Sequence, residues 1–213
     1  MSTSRNAAIA LFTGSIGGLV TMTLHPTGHD VVHNASAGAA NTLTTAVHIL
    51  ALLAQPLLLA GTLALTLKFR ARRDVAVAAY IFFAMATVAV IIAAVASGLL
   101  APSVLRGYAE ADEPARAVMM NALTYTGRVN QAFAMVYVTF SGVAILLWSV
   151  AALLGGELPR SLARYGILLG VALILGIMSG YLRLNVHGFG LVVLGEGAWM
   201  VWVAVLLWRS TDH

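Results

Sequence analysis

The stretch VAVAAYIFFAMATVAVIIAAVASGLLA, residues 75–101, contains no charged side chain. As an α-helix it would be about 40 Å long, which is more than the ~30 Å of hydrocarbon in a bilayer. A helix that is apolar on every side is either buried in a large protein or crosses a membrane. This stretch therefore predicts a transmembrane helix.

The rest of the chain has the same character. Of its 213 residues, 60% are hydrophobic and only 9% are charged, whereas a soluble domain has about a quarter charged residues. We therefore expect one all-α integral membrane domain, in which about six helices form a compact bundle. The predicted spans are residues 7–24, 44–67, 75–101, 132–154, 165–182 and 190–208. The first span is expected to be retained, because His25-Pro26 follows it in place of a small-residue cleavage site.

Eight of the twelve basic residues group at one end of these helices, and this predicts an orientation. They are Arg5, Lys68, Arg70, Arg72, Arg73, Arg160, Arg164 and Arg209. The positive-inside rule then places both termini in the cytoplasm and the other end of the bundle outside, toward the periplasm of a bacterial inner membrane. The net charge of +4 is explained by this topology, so it does not indicate a nucleic-acid partner.

Two further helices are expected at the outer end. Thr27 and Asp30 have the spacing of a capping box, which predicts a short interfacial helix at about 28–34, after the first span. Pro114 suits the first turn of a helix, so an amphipathic extension is expected to run from there into the fourth span. Its polar stripe consists of Asn121, Thr124, Arg128 and Gln131.

Ionisable residues collect at the outer ends of the spans. They are His25, His29, Asp30, His33 and His48 around the first two spans, and His187 and Glu196 around the last. Ionisable groups at membrane depth are costly and indicate a functional site. The sequence therefore predicts a polar cavity that faces outward.

Glu196 is the strongest single candidate, and Asp30 is the second candidate for a catalytic carboxylate. Counted from residue 190, Glu196 lies roughly 9 Å inside the span, where it needs a cation, hydrogen bonds or a proton. Two interpretations remain open. Glu196 has a functional role, or it forms a structural ion pair or hydrogen bond with Arg128 or Arg183.

The histidines are candidate metal ligands. His29 and His33 are spaced i, i+4, so both imidazoles can reach one ion from one helical turn. His25, His48 and His187 are the candidates for further ligands. The chain has no cysteine, and a nitrogen and oxygen ligand set suits zinc, copper, iron or nickel. A b-type haem held by His48 and His187 is the less favoured cofactor, and ordinary interfacial histidines are the alternative to any metal.

Other polar and aromatic residues receive weaker predictions. Arg128, Gln131, Arg183 and Asn185 are expected to contact a substrate, since guanidinium groups pair with phosphates and carboxylates. Arginine side chains can also anchor helices in lipid headgroups. Tyr137 and the tryptophans are expected to pack between helices or to anchor them at the interface.

The predicted function is redox or hydrolytic chemistry on a small or lipid-like substrate that depends on a metal ion, with haem as the alternative cofactor. In the hydrolytic version the metal activates water, and Glu196 or Asp30 accepts its proton. One alternative is a proton-coupled or cation-coupled carrier or channel that uses Glu196. Another is a non-catalytic membrane subunit or lipid-binding protein, with a protein partner or a second copy of the chain. No motif decides between an enzyme and these alternatives.

Overall fold

The computed structural model describes residues 3–26, 37–108 and 110–209, and these ranges are helical between short turns. The elements are α1 (Thr3–Leu24), α2 (Ala37–Lys68), α3 (Arg73–Val95), a π-helical segment (Ala96–Leu100), α4 (Ala101–Leu105), α5 (Glu113–Gly155), α6 (Arg160–Met178) and α7 (Val186–Arg209). Six helices are long and apolar enough to cross a membrane, with α3 and α4 in one span, Arg73–Leu105. The described residues thus confirm the prediction of an all-α fold with six helices that are long and apolar enough to cross a membrane.

The helices α5 and α7 begin before their apolar runs, at residues with polar caps. The carboxylate of Asp112 accepts a hydrogen bond from Ala115 N at 2.9 Å, and Pro114 lies in the first turn of α5. The amide of Asn185 accepts a hydrogen bond from Gly188 N at 2.9 Å at the start of α7. α5 runs without a break from Glu113 into the fourth span, so the helical extension expected from Pro114 is part of it. The start of α7 at Val186 precedes the predicted residue 190, because hydropathy does not register a polar cap.

The bundle has two distinct ends, a basic end and a histidine end. The basic end contains the α2–α3 loop, the α5–α6 loop and the first and last described residues of the chain. The histidine end contains His25, the connection from α4 to α5 and the connection from α6 to α7. The predicted interfacial helix at 28–34 lies outside the described residues, and with it His29, Asp30 and His33.

The helices pack in a definite order. α1 lies against α2 and α7, α3 lies against α2 and α5, and α5 also lies against α6. The half of the bundle near the basic end is filled by large, fully buried side chains, among them Leu11, Leu65, Phe69, Trp148 and Trp199. The two tryptophan rings are stacked with centroids 6.0 Å apart. The two cavities with several polar lining residues lie in the other half.

Candidate ligand-binding cavity

Two neighbouring chambers lie in the half of the bundle near the histidine end. The larger one, called the histidine chamber, has a volume of about 280 Å³, and its polar lining is Thr21, His25, His48, Ser97, Asn130, Gln131 and Asn185. The smaller one, called the glutamate chamber, has a volume of about 80 Å³, and its polar lining is Ser15, Thr21, Gln55, Tyr137 and Glu196. The chambers share Thr21, Met22, Ala51, Val90 and Phe189 as walls, so they are adjacent.

The carboxylate of Glu196 is held by two hydroxyl groups of α5. Tyr137 Oη donates to Glu196 Oε2 at 2.5 Å, and Ser141 Oγ donates to Glu196 Oε1 at 2.5 Å. The donors are spaced i, i+4, which places both hydroxyls on one face of α5. Because α7 begins at Val186, Glu196 lies about 15 Å along this helix rather than 9 Å, and its side chain is 4% exposed. The carboxylate is thus near the middle of the span.

The alternative of a structural bond from Glu196 to Arg128 or Arg183 is not realised in this geometry. Both arginine side chains are exposed, and neither lines a chamber. Within the described part of the chain, Glu196 accepts hydrogen bonds from Tyr137 and Ser141 and forms no ion pair. Hydroxyl groups, rather than a guanidinium group, stabilise this carboxylate.

His25 and His48 bring two ring nitrogens together. Their Nε2 atoms are 3.4 Å apart. His25 Nδ1 is 2.8 Å from the carbonyl oxygen of Pro26, and His48 Nδ1 is 2.7 Å from that of Thr44. Carbonyl oxygens only accept hydrogen bonds, so we assign the proton of each neutral ring to Nδ1 and a lone pair to each Nε2.

The π-helical segment makes room for His48, whose side chain is 6% exposed. Gly98 lies against the imidazole, and a Cβ atom there would overlap Cβ and Cγ of His48. Ser97 Oγ is 2.8 Å from His48 Nε2 and 3.0 Å from Ala93 O, so its one hydrogen can be donated to either of these acceptors. Single π-helical turns within α-helices occur frequently at functional sites. Here the π turn places a glycine and a hydroxyl group beside one imidazole.

The predicted substrate-binding residues divide into two groups. Gln131 and Asn185 line the histidine chamber, although each also has a structural bond, from Gln131 Nε2 to Leu184 O at 2.9 Å and from Gly188 N to Asn185 Oδ1. Arg128 and Arg183 are exposed and line neither chamber.

The predicted metal ligands are also divided. Within the described ranges, no group of three or more histidine, aspartate or glutamate side chains is placed to hold a metal ion. His187 is exposed and lines neither chamber, so the geometry gives no support to a haem between His48 and His187. His29, His33 and Asp30 lie outside the described residues. Of the five predicted ligands, the structure brings together His25 and His48.

Three residues whose hydroxyl groups contact His48 or Glu196 were not among the sequence-based candidates. Tyr137 was expected to pack or to anchor a helix, and Ser97 and Ser141 received no role. The i, i+4 spacing of Tyr137 and Ser141 is a signal that could have indicated a shared hydroxyl face on α5. Their partner could not be read from the sequence, because it depends on which helix face meets α7.

Comparisons with known proteins give no relative of this chain. No known protein family, no curated protein and no solved structure matches it. The two chambers and the side chains that line them therefore supply the basis for assigning a function.

Proposed function

We propose that this protein resides in a bacterial-type inner membrane and binds a small ligand from the outer side in the two chambers. The ligand has an apolar body and a cationic or strongly hydrogen-bonding group that reaches Glu196. The observation that supports this proposal is the state of the Glu196 carboxylate. It lines the glutamate chamber near the middle of α7 and forms no ion pair within the described residues.

The Glu196 carboxylate can accept more hydrogen bonds than the two that it receives from Tyr137 and Ser141. An ionised carboxylate offers about four lone-pair positions, and Tyr137 and Ser141 occupy one on each oxygen. A group that donates hydrogen bonds from the chamber can use the others. An ammonium group is the strongest such partner, because the attraction between opposite charges grows as the surroundings become less polar.

The chamber walls suit the rest of such a ligand. Met22, Val90 and Phe189 belong to both chambers and give them an apolar surface. Ligand pockets combine a mainly apolar lining with a few placed polar groups that fix orientation. A short hydrocarbon chain or a single ring fits this lining.

The packing of the bundle supports access from the histidine end. On the other side of Glu196 the core contains Trp148, Trp199 and Leu65, all fully buried. The exposed side chains of Gln131 and Asn185, in contrast, line the histidine chamber. With the orientation expected from the basic loops, a ligand reaches Glu196 from outside.

A carrier is the second candidate, and the position of Glu196 about 15 Å along α7 favours it. A carboxylate near the middle of a span can exchange a proton or a cation with either side. Transport would require the packed basic half to open. Ligand binding from one side needs no such rearrangement, so it ranks first. The non-catalytic subunit remains a prediction.

Octylamine is a suitable probe of the proposed site, with octanol as its neutral counterpart. The purified protein in mild detergent is titrated with each compound, and its melting temperature is followed. At a concentration of 100 times its Kd, octylamine is expected to stabilise the protein by about 2.7 kcal/mol, and octanol at the same concentration should stabilise it less. In Glu196→Gln this preference for the amine should disappear. The exposed Glu113→Gln, at the start of α5, is the matched control and should keep the preference.

A second variant tests the location independently of the carboxylate. Ala51 belongs to the wall shared by both chambers, so Ala51→Leu reduces the space without removing a charge. It should weaken the binding of octylamine and octanol alike. An amine preference that survives Glu196→Gln, or binding that is unchanged in Ala51→Leu, would contradict the proposal.

A further inference from the structure

We propose that His25 and His48 together bind one divalent transition-metal ion through their Nε2 atoms, in the wall of the histidine chamber. This inference deepens the proposed function, because the ion would lie in the same cavity as the ligand. The sequence suggested five histidines as ligands, and this proposal retains two of them: His48 on α2 and His25, which directly follows α1.

The separation of the two nitrogens suits a shared ion. A tetrahedral ion with metal–nitrogen bonds of 2.0–2.1 Å places two ligand nitrogens about 3.3–3.4 Å apart. His25 Nε2 and His48 Nε2 are 3.4 Å apart. A direct hydrogen bond between two nitrogens would be long at this distance and would require an added proton on one ring.

The hydrogen bonds behind the rings have the form that metal sites use. A histidine that binds a metal usually donates its other ring N–H to a carbonyl or carboxylate oxygen, which fixes the tautomer and the ring orientation. Pro26 O and Thr44 O are these acceptors for His25 and His48. Both lone pairs are then directed into the same region, where a cation removes their mutual repulsion.

Ser97 does not prevent this arrangement. Its hydroxyl hydrogen can be given to Ala93 O at 3.0 Å instead of His48 Nε2, which leaves the nitrogen free. The remaining coordination positions face the histidine chamber, where water or a ligand can occupy them, as in zinc sites that keep an open position. Two imidazoles and oxygen donors suit zinc, copper(II), nickel or cobalt(II).

Cobalt(II) is the probe for the test, because its visible absorption distinguishes tetrahedral from octahedral coordination. The protein is purified in detergent with an affinity tag that contains no histidine and is titrated with CoCl₂, and the ion is then displaced by ZnCl₂. One equivalent of cobalt should bind with a tetrahedral spectrum. His25→Ala and His48→Ala should each weaken binding by about 100-fold or more, since even the loss of a residue that only orients a ligand costs 10–100-fold.

His187→Ala is the matched control, because His187 is exposed at the same end and lines neither chamber. It should bind cobalt as the wild type does, and so should Ser97→Ala, in which the competing hydroxyl is absent. Metal-free melting curves establish that each variant is folded, and His48→Gln replaces His48→Ala if the smaller side chain leaves an unstable protein. A folded wild-type protein without a tetrahedral cobalt spectrum would overturn the proposal, and so would a spectrum that survives loss of either His25 or His48.

The metal test and the ligand test fail separately. Cobalt binding depends on His25 and His48, whereas the preference for octylamine over octanol depends on Glu196. A protein that binds cobalt but shows no amine preference would retain the metal site and lose the proposed ligand class. The reverse result would retain the ligand site alone.

Discussion

The imidazole of His48 lies directly against Gly98, and the two residues come from different spans. A Cβ atom at position 98 would overlap Cβ and Cγ of His48. Thr45, on the same helix as His48, donates a hydrogen bond to Gly98 O at 3.0 Å. The close approach of α2 to the π-helical segment thus depends on the absence of a side chain at one position.

Gly98→Ala is therefore expected to displace His48. Overpacking of this kind costs about 1–3 kcal/mol, and the melting temperature in detergent should fall accordingly. If His48 binds cobalt as proposed, its displacement should also weaken cobalt binding. Gly127→Ala is the control, since a Cβ there meets nothing within 4 Å and alanine in a helix is favoured over glycine by about 0.5–1 kcal/mol. If Gly98→Ala and Gly127→Ala changed the melting temperature equally, the close contact between Gly98 and His48 would not be important for stability.

The six spans and the candidate carboxylate could be predicted because both are properties of single segments. An uncharged run such as residues 75–101 fixes a helix by its length and composition alone. Glu196 is conspicuous because it interrupts a run of the same kind. The start of α7 was predicted late because His187 and Gly188 lower the hydropathy, although Asn185 caps a helix that includes them.

The contacts between spans could not be predicted, because they depend on helix rotation and packing. Tyr137 and Ser141 are ordinary residues of membrane helices until α5 turns them toward Glu196. The π-helical segment Ala96–Leu100 has no sequence signature, and its relation to His48 appears only when α2 and α3 are side by side.

Removal of either hydroxyl that holds Glu196 is expected to destabilise the protein. Tyr137→Phe and Ser141→Ala each leave one carboxylate oxygen without its donor, at a cost of about 1–3 kcal/mol. The measurement is the unfolding midpoint in detergent. Tyr125→Phe is the matched control on the same helix, because Tyr125 is 71% exposed and its substitution should have an effect within about 0.5 kcal/mol.

A double-mutant cycle shows whether Tyr137→Phe destabilises the protein because the hydrogen bond to Glu196 is lost. In a Glu196→Gln background, Tyr137→Phe should cost less than it does in the wild type, because the carboxyl group that accepts this hydrogen bond is already absent. Residues in one hydrogen-bond network show coupling energies of about 0.5–3 kcal/mol. Strictly additive effects would indicate that the Tyr137 hydroxyl stabilises the bundle independently of Glu196.

Gly166 on α6 is expected to tolerate no side chain. A Cβ atom at this position would be 2.5 Å from Trp199 Nε1 and would also overlap Ser149 Oγ. Both of these polar atoms are buried and lack a hydrogen-bond partner among the described residues. Ser149 Oγ and Trp199 Nε1 thus lie directly beside Gly166, where α5, α6 and α7 pack closely together.

Gly166→Ala should lower the stability by about 1–3 kcal/mol or more, since both neighbours are held in the core and cannot move freely. Gly190→Ala is the control on α7, because its Cβ would only touch the flexible end of Met22 at 3.8 Å. Intrinsic fluorescence provides a second measurement, as the stacked pair of Trp148 and Trp199 should be disturbed in the first variant alone. An unchanged melting temperature and spectrum in Gly166→Ala would contradict this packing.

Glu157 links two loops at the basic end, and this link is expected to depend on pH. Glu157 Oε1 accepts hydrogen bonds from Arg70 N and Ala71 N, each at 3.1 Å. Desolvation raises the pKa of this carboxyl, but the hydrogen bonds from backbone amides outweigh it and lower the pKa below its ordinary value of 4.5. The charged form is thus the one that the folded protein favours.

Because the pKa of Glu157 is lower in the folded state than in the unfolded state, its contribution to stability is present above about pH 4.5 and is lost as the pH falls through the folded-state value. Glu157→Gln should therefore melt at a lower temperature than the wild type at pH 7, and the difference should shrink as the solution is acidified. Glu110→Gln, at an exposed glutamate of the histidine end, is the control: its melting temperature should not differ from that of the wild type in this pH-dependent way. If the difference between Glu157→Gln and the wild type stayed constant down to acidic pH, the carboxylate charge would not contribute to the link between the two loops, and the neutral amide oxygen would serve equally well.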